Sequence, residues 1–270
     1  MFQGADITMP YRNQPLTLTK ISMRRLRETL KIVLAYWTTM LLLAGKDGVW
    51  SYSQQVEDVT NKCKMLHEHL TSLPTPILDD LIPPLVADFL NIISSYHKTF
   101  LGSKRIRKHA EIKHEAVCTV MLKCLLGPFT RRYNTAKMNS FEQRLIIQTF
   151  NSTPNLKLLI FNTAPEIDNS VLLAFHIHRL QHLVSFQYRH RCTDQVIQQL
   201  ALHCRKLREI DVRNSRAVTD ASVQHLLTLT DLSHLYLTGT SVTKRKYGLL
   251  LSRLPDDTII SYPSPICDSL

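Results

Sequence analysis

Glycine is scarce in this chain, with seven residues among 270. That leaves no glycine-rich run to wrap a phosphate, no Gly-x-Ser-x-Gly elbow for a hydrolase nucleophile and no kinase signature. Paired cysteines are missing too. Cys63, Cys118, Cys124, Cys192, Cys204 and Cys267 are scattered with no Cys-x-x-Cys spacing. A zinc ribbon and a secreted disulfide framework are thereby excluded, and an intracellular, reducing setting is expected, cytoplasm or nucleus. No apolar run reaches the roughly 20 residues that cross a bilayer. The nearest, Ile32 to Ala44, is 13 residues long, so no membrane span is expected. The opening MFQGADITMPYRNQ lacks the layout of a signal peptide.

Twelve histidines raise the question of a metal. His178 and His182 stand four apart, near His176 and His190, but no His-Glu-x-x-His glutamate accompanies them, and a strand must begin at Leu183. Cys63 with His67 and His69 is equally bare of further ligands. No metal, no cofactor and no catalytic residue is expected, and the chain does not read as an enzyme.

What is present is repetition. Three stretches open with Leu-x-x-apolar-x-apolar: Leu183, Phe186, Tyr188; Leu207, Ile210, Val212; Leu232, Leu235, Leu237. The opening leucines are 24 and 25 residues apart, a leucine-rich-repeat period. Alternate apolar positions turn one face of a short strand into a core. Cys192-Thr193-Asp194, Val218-Thr219-Asp220 and Val242-Thr243-Lys244 follow, where a Thr or Asp side chain accepts from the free amides of a helix start. Val196, Ile197 and Leu200 then share one helix face, as do Val223, Leu226 and Leu227. A unit of this kind cannot bury its apolar face alone and must stack on its neighbours. An earlier unit begins with Leu156, Leu159 and Phe161 after a helix over 141–150, and Thr258 to Ile260 adds a short strand.

The N-terminal half reads as helical. A helix is expected over 22–44, broken by Gly45 to Gly48, and a second over about 53–70. Pro74, Pro76, Pro83 and Pro84 should chop 71–101 into short helices. Val117 to Leu126 forms an apolar helix that Gly127-Pro128 stops. The predicted class is therefore α/β: a short leucine-rich-repeat solenoid of parallel strands plus helices over 140–262, an all-helical region over 1–135 before it, and a tail over 263–270.

The pattern Cys204-x-x-Leu207-x-x-Ile210-x-Val212 with Val218-Thr219-Asp220 resembles the cysteine-containing leucine-rich repeats of F-box/LRR proteins and their antagonist-of-mitotic-exit relatives. Leu180 and Leu229 stand where the family carries its cysteine. Over about 71–101, Leu73, Pro74, Ile77, Leu78 and Leu81 resemble the opening of an F-box, here degenerate because the later Val-Cys-x-x-Trp stretch is missing. The resemblance implies a substrate-recognition subunit of a cullin-RING (SCF-type) ubiquitin ligase, with a Skp-type adaptor, a cullin and a protein substrate as partners.

A stack of such units would bind through the strand residues between the buried ones. In columns these are Leu158, Ser185, Glu209 and His234; Ile160, Gln187, Asp211 and Tyr236; Asn162, Arg189, Arg213 and Thr238. Ser185, Gln187, Arg189, Glu209, Asp211, Arg213, His234 and Tyr236 are the partner-binding candidates, rich in the Tyr and Arg that carry interface energy. The alternative is a non-ligase scaffold or a nucleic-acid-associated protein using Lys104, Arg105, Arg107 and Lys108, a run that also suits a solvated helix face. The net charge of +11 is spread along the chain rather than gathered with aromatics, so nucleic acid is not the expected partner.

Overall fold

The computed structural model describes residues 18–47, 49–100, 115, 118–134, 138–162, 168–255 and 257–261. The basic run 104–108 and the tail beyond 261 lie outside the described residues.

The fold is mixed α/β, built on an open sheet of six parallel strands in chain order. The strands are β1 (Arg132–Asn134), β2 (Leu158–Asn162), β3 (Ser185–Arg189), β4 (Glu209–Asp211), β5 (His234–Tyr236) and β6 (Ile259–Ser261). Helices α1 (Leu18–Asp47), α2 (Val49–Thr71), α3 (Thr75–Phe100) and α4 (118–125) come before it. Helices α5 (Ser140–Gln148), α6 (Ser170–His176), α7 (Asp194–His203), α8 (Val223–Leu226) and α9 (Lys244–Arg253) alternate with the strands. Consecutive members from α5 to α9 lie beside one another. Among the described residues no helix is long and apolar enough to cross a membrane.

The rows of the sheet follow from strand alternation. Leu156, Leu183, Leu207 and Leu232 form one buried row, Leu159, Phe186, Ile210 and Leu235 the next, and Phe161, Tyr188, Val212 and Leu237 the third. Each such side chain removed from water contributes about 1.5–3 kcal/mol. The predicted threonine caps are present. Thr193, Thr219 and Thr243 accept from the amides of Val196, Ala221 and Lys246. Cys204 spans two units, its thiol donating to the Leu180 carbonyl at 3.3 Å. Burial pushes that thiol up to about 12, so it is held as a neutral donor.

A further device ties consecutive units at two junctions. Asp194, the residue after a capping threonine, accepts from the backbone N–H (2.8 Å) and hydroxyl (2.6 Å) of Thr219 one unit on, and from the Ser222 hydroxyl. Asp220 repeats this with the N–H (2.7 Å) and hydroxyl (2.9 Å) of Thr243. A threonine thus caps its own helix while the aspartate beside it holds the following threonine. Lys244 occupies the aspartate place in its unit, so no carboxylate is offered onward from there. Past β3, β4 and β5 the backbone also turns left-handed at a matching position, with φ of 74° at His190, 62° at Asn214 and 76° at Gly239.

Two expectations are corrected. Pro83 and Pro84 do not divide α3, which runs unbroken from Thr75 to Phe100. The helix bonds they remove would have ended on the carbonyls of Asp79 and Asp80, two exposed residues. Meanwhile Leu78, Leu81, Ile82, Leu85, Val86, Phe89, Leu90 and Ile93 keep one continuous buried stripe. Tertiary packing overrides the local breakers. Second, the region before 140 is not all helical, because β1 pairs with β2 in the register Arg132↔Leu158, Tyr133↔Leu159 and Asn134↔Ile160.

The N-terminal helices share the buried core of the sheet units. Arg27 binds Asp88 at 2.7 Å, joining α1 to α3. The end of α5 is joined to α4 by Thr119, which donates to Gln148 Oε1 (2.8 Å), and to Glu115 by Gln148 Nε2, which donates to its carboxylate (2.6 Å). At its other end α5 starts with a capping box, Asn139 and Glu142 exchanging bonds. Ser94 of α3 plugs into that box, its hydroxyl donating to Glu142 and accepting from Asn139 Nδ2 at 3.1 Å.

Candidate functional site

The sheet face away from the buried rows brings the sequence-predicted residues together. The register aligns Leu158, Ser185, Glu209, His234 and Ile259 in one column and Ile160, Gln187, Asp211, Tyr236 and Ser261 in the next. Asn162 pairs with Arg189 in the third, while Arg213 and Thr238 lie two residues past the ends of β4 and β5. Arg132, Asn134, Ile259 and Ser261 extend the face at its two edges, and none of them was among the predicted residues. The trace of β1 in the sequence is a 26-residue step from Tyr133 to Leu159, hidden because Thr130 stands where later units carry leucine.

Six of the eight candidates are half-exposed: Gln187, Arg189, Glu209, Arg213, His234 and Tyr236. The other two support them from beneath. Ser185 is buried and donates to Glu209 Oε2 at 2.7 Å, and Gln187 Nε2 donates to Oε1 of the same carboxylate at 3.3 Å. Asp211 is only 1% exposed. Arg189 Nε donates to its Oδ2 at 2.8 Å, and Arg213 donates from Nε to Oδ1 (2.9 Å) and from NH2 to Oδ2 (2.7 Å). The Arg213 backbone N–H adds a bond to Oδ1 at 3.2 Å.

Burial alone would raise the Asp211 carboxyl. The hydrogen bonds and charges of Arg213 and Arg189 outweigh that, and hold it below its ordinary value. One buried carboxylate therefore fixes two guanidiniums whose side chains remain 32% and 37% exposed. Arg213 lies over the Tyr236 ring, 5.2 Å from its centre. The His234 and Tyr236 rings stack at 6.5 Å and 26°. The middle of the face is thus a set of pre-positioned donors and rings with little rotamer freedom left to lose.

Elsewhere a shallow depression of about 510 Å³ runs along α1 over Ile21, Arg24, Glu28 and Ile32. A groove of about 180 Å³ at the start of α3 and the β1 edge is lined by Leu78, Asp79, Pro83, Phe129 and Arg131 among others; drug-sized ligands occupy roughly 300–1,000 Å³. Among the described residues no group of three or more His, Cys, Asp or Glu could hold a metal ion. His178 packs edge-on against Phe175 and His203, His182 lies 3.0 Å from Lys206 Nζ, and His67 Nδ1 is 3.0 Å from the Cys124 carbonyl. Leu78 and Leu81 of α3 are buried in the chain's own core.

Comparison with family models, with curated proteins and with solved structures returns no match for this chain.

Proposed function

We propose that the chain is a leucine-rich-repeat protein whose solenoid binds a protein partner across the exposed sheet face. The observation that supports this most is the column register from β2 to β5. It sets Gln187, Arg189, Glu209, His234 and Tyr236 side by side on consecutive strands, with Arg213 just past the end of β4. A shallow face of rigid polar and aromatic groups suits a protein surface better than a small molecule. The test is binding with Gln187→Ala/Tyr236→Ala, two half-exposed side chains that carry no core packing. Loss of a captured partner with unchanged thermal stability supports the reading; capture unaffected by this pair and by Arg213→Ala refutes it.

The resemblance to F-box/LRR proteins extends the reading to a substrate receptor of an SCF-type ubiquitin ligase. Co-purification of the full chain with a Skp-type adaptor and a cullin tests that extension, and its failure leaves a non-ligase scaffold. Burial of Leu78 and Leu81 favours the scaffold, because an adaptor needs its docking side chains at the surface.

A further inference from the structure

We infer that the Arg189–Asp211–Arg213 cluster is a receptor for one acidic side chain of the bound protein, with the Tyr236 ring as the ledge beside it. This rests on the sheet face being the binding surface. Two guanidiniums surround a single buried carboxylate, so the cluster carries one uncompensated positive charge at the surface. A guanidinium has five N–H donors. Asp211 is met by two nitrogens of Arg189, Nε at 2.8 Å and NH2 at 2.6 Å, and by two of Arg213, which leaves three N–H groups on each guanidinium for a second acceptor. A carboxylate that adds to this pair meets charged donors already held in place, and two donor forks can grip it bidentately.

Two observations select the occupant. The chain's net charge of +11 favours acidic partners in encounter. Along the strands the face is divided: Glu209 lies at their starts, bound by Ser185 and Gln187, and the arginines lie at their ends. From β3 to β5 an anion is therefore attracted at the strand ends, where Arg213 also covers Tyr236. The partner segment carries an Asp or Glu there with an apolar or aromatic neighbour to rest on the Tyr236 ring. Asp211 is a positioning residue: it fixes where the guanidiniums stand and does not itself reach the partner.

The experiment selects dodecapeptides from a random display library on the full chain and measures their affinity by fluorescence anisotropy. The reference variant is Arg189→Gln/Asp211→Asn/Arg213→Gln, which keeps hydrogen-bonding groups at all three positions and removes the charge, so its melting temperature serves as the folding control. The expected result is a fixed Asp or Glu in the selected peptides. Changing it to the amide, or using the triple variant, should weaken binding about tenfold, or 1.4 kcal/mol, and that loss should shrink with added salt. A phosphoserine arm at the same position distinguishes a phosphopeptide preference, which would overturn the carboxylate assignment if it binds more than tenfold tighter. Peptides that lose affinity with Tyr236→Ala yet tolerate the amide within twofold would overturn the acidic receptor and leave the binding face standing. No selected peptide, or peptides indifferent to every substitution on the face, would overturn both.

Discussion

Removing the Asp194 carboxylate should cost this protein more than removing Asp220, although the two stand at matching positions. Asp194 accepts three hydrogen bonds in a partly buried setting, from the Thr219 N–H, the Thr219 hydroxyl and the Ser222 hydroxyl. Asp220 accepts two, both exposed, from Thr243. A hydrogen bond to a charged group contributes about 1.5–3 kcal/mol net, with partial overlap among bonds that share an acceptor. Asp194→Ala should therefore lose about 2–4 kcal/mol, and Asp220→Ala, with solvent to replace its bonds, about 1 kcal/mol. For a chain of this size each kcal/mol lowers the melting temperature by about 2–4 °C. The expected drops are about 4–16 °C and 2–4 °C in thermal denaturation followed by circular dichroism. Lys244→Asp is the control. It places a carboxylate at the same helix start with no threonine held by it, so its effect should stay within the roughly 0.3–1 kcal/mol of a charge at a helix end. Equal losses at 194 and 220, or a larger one at 220, would refute the assignment of the coupling to these bonds.

Gly239→Ala should lose about 1–3 kcal/mol in urea denaturation, because the backbone φ is 76° and the added Cβ would sit 2.6 Å from Asn214 Oδ1 and 3.1 Å from its Cα. His190→Gly, at the matching left-handed position, should gain up to about 1 kcal/mol; a loss would mean that the imidazole contributes more than the backbone strain costs. Pro83→Ala should raise stability by about 1–3 kcal/mol by restoring a helix N–H, and an unchanged melting temperature would show that the Asp79 carbonyl is satisfied otherwise. The Asp211 carboxyl is held below its ordinary value when folded, so the stability from its ionisation is present above the unfolded value, about 3.9, and is lost as pH falls through the lower folded value. Asp211→Asn should flatten that acid limb of a denaturation series, and an unchanged slope would refute the coupling.

The repeating part of this fold was largely legible in the sequence, because its signals are local and periodic. The opening leucines predicted the buried rows, and the columns predicted from them match the strand register from β2 to β5. Thr193, Thr219 and Thr243 cap helices, as their residue type implied. What escaped was non-local. Asp194 reads as an ordinary helix-start acid until Thr219, 25 residues on, is seen to bind it. Asp211 has the alternation of an exposed strand residue, but two arginines cover it and reduce its exposure to 1%. The prolines of α3 were misleading for the same reason, since the packing that holds the helix comes from other segments. Strand β1 contributes only Tyr133 to the buried rows, too little apolar alternation to register as a strand.

The aspartate–threonine contacts also give the array a direction. In each, the acceptor belongs to the segment made earlier and the donors to the segment made later. Thr219 and Thr243 each come later in the chain than the carboxylate that holds them, so that acceptor is synthesised before its donor. Growth can thus proceed by addition of one unit at a time onto a finished edge, like courses of brick keyed to the one below. Lys244 presents no such key, and assembly by this contact goes no further than the helix it begins.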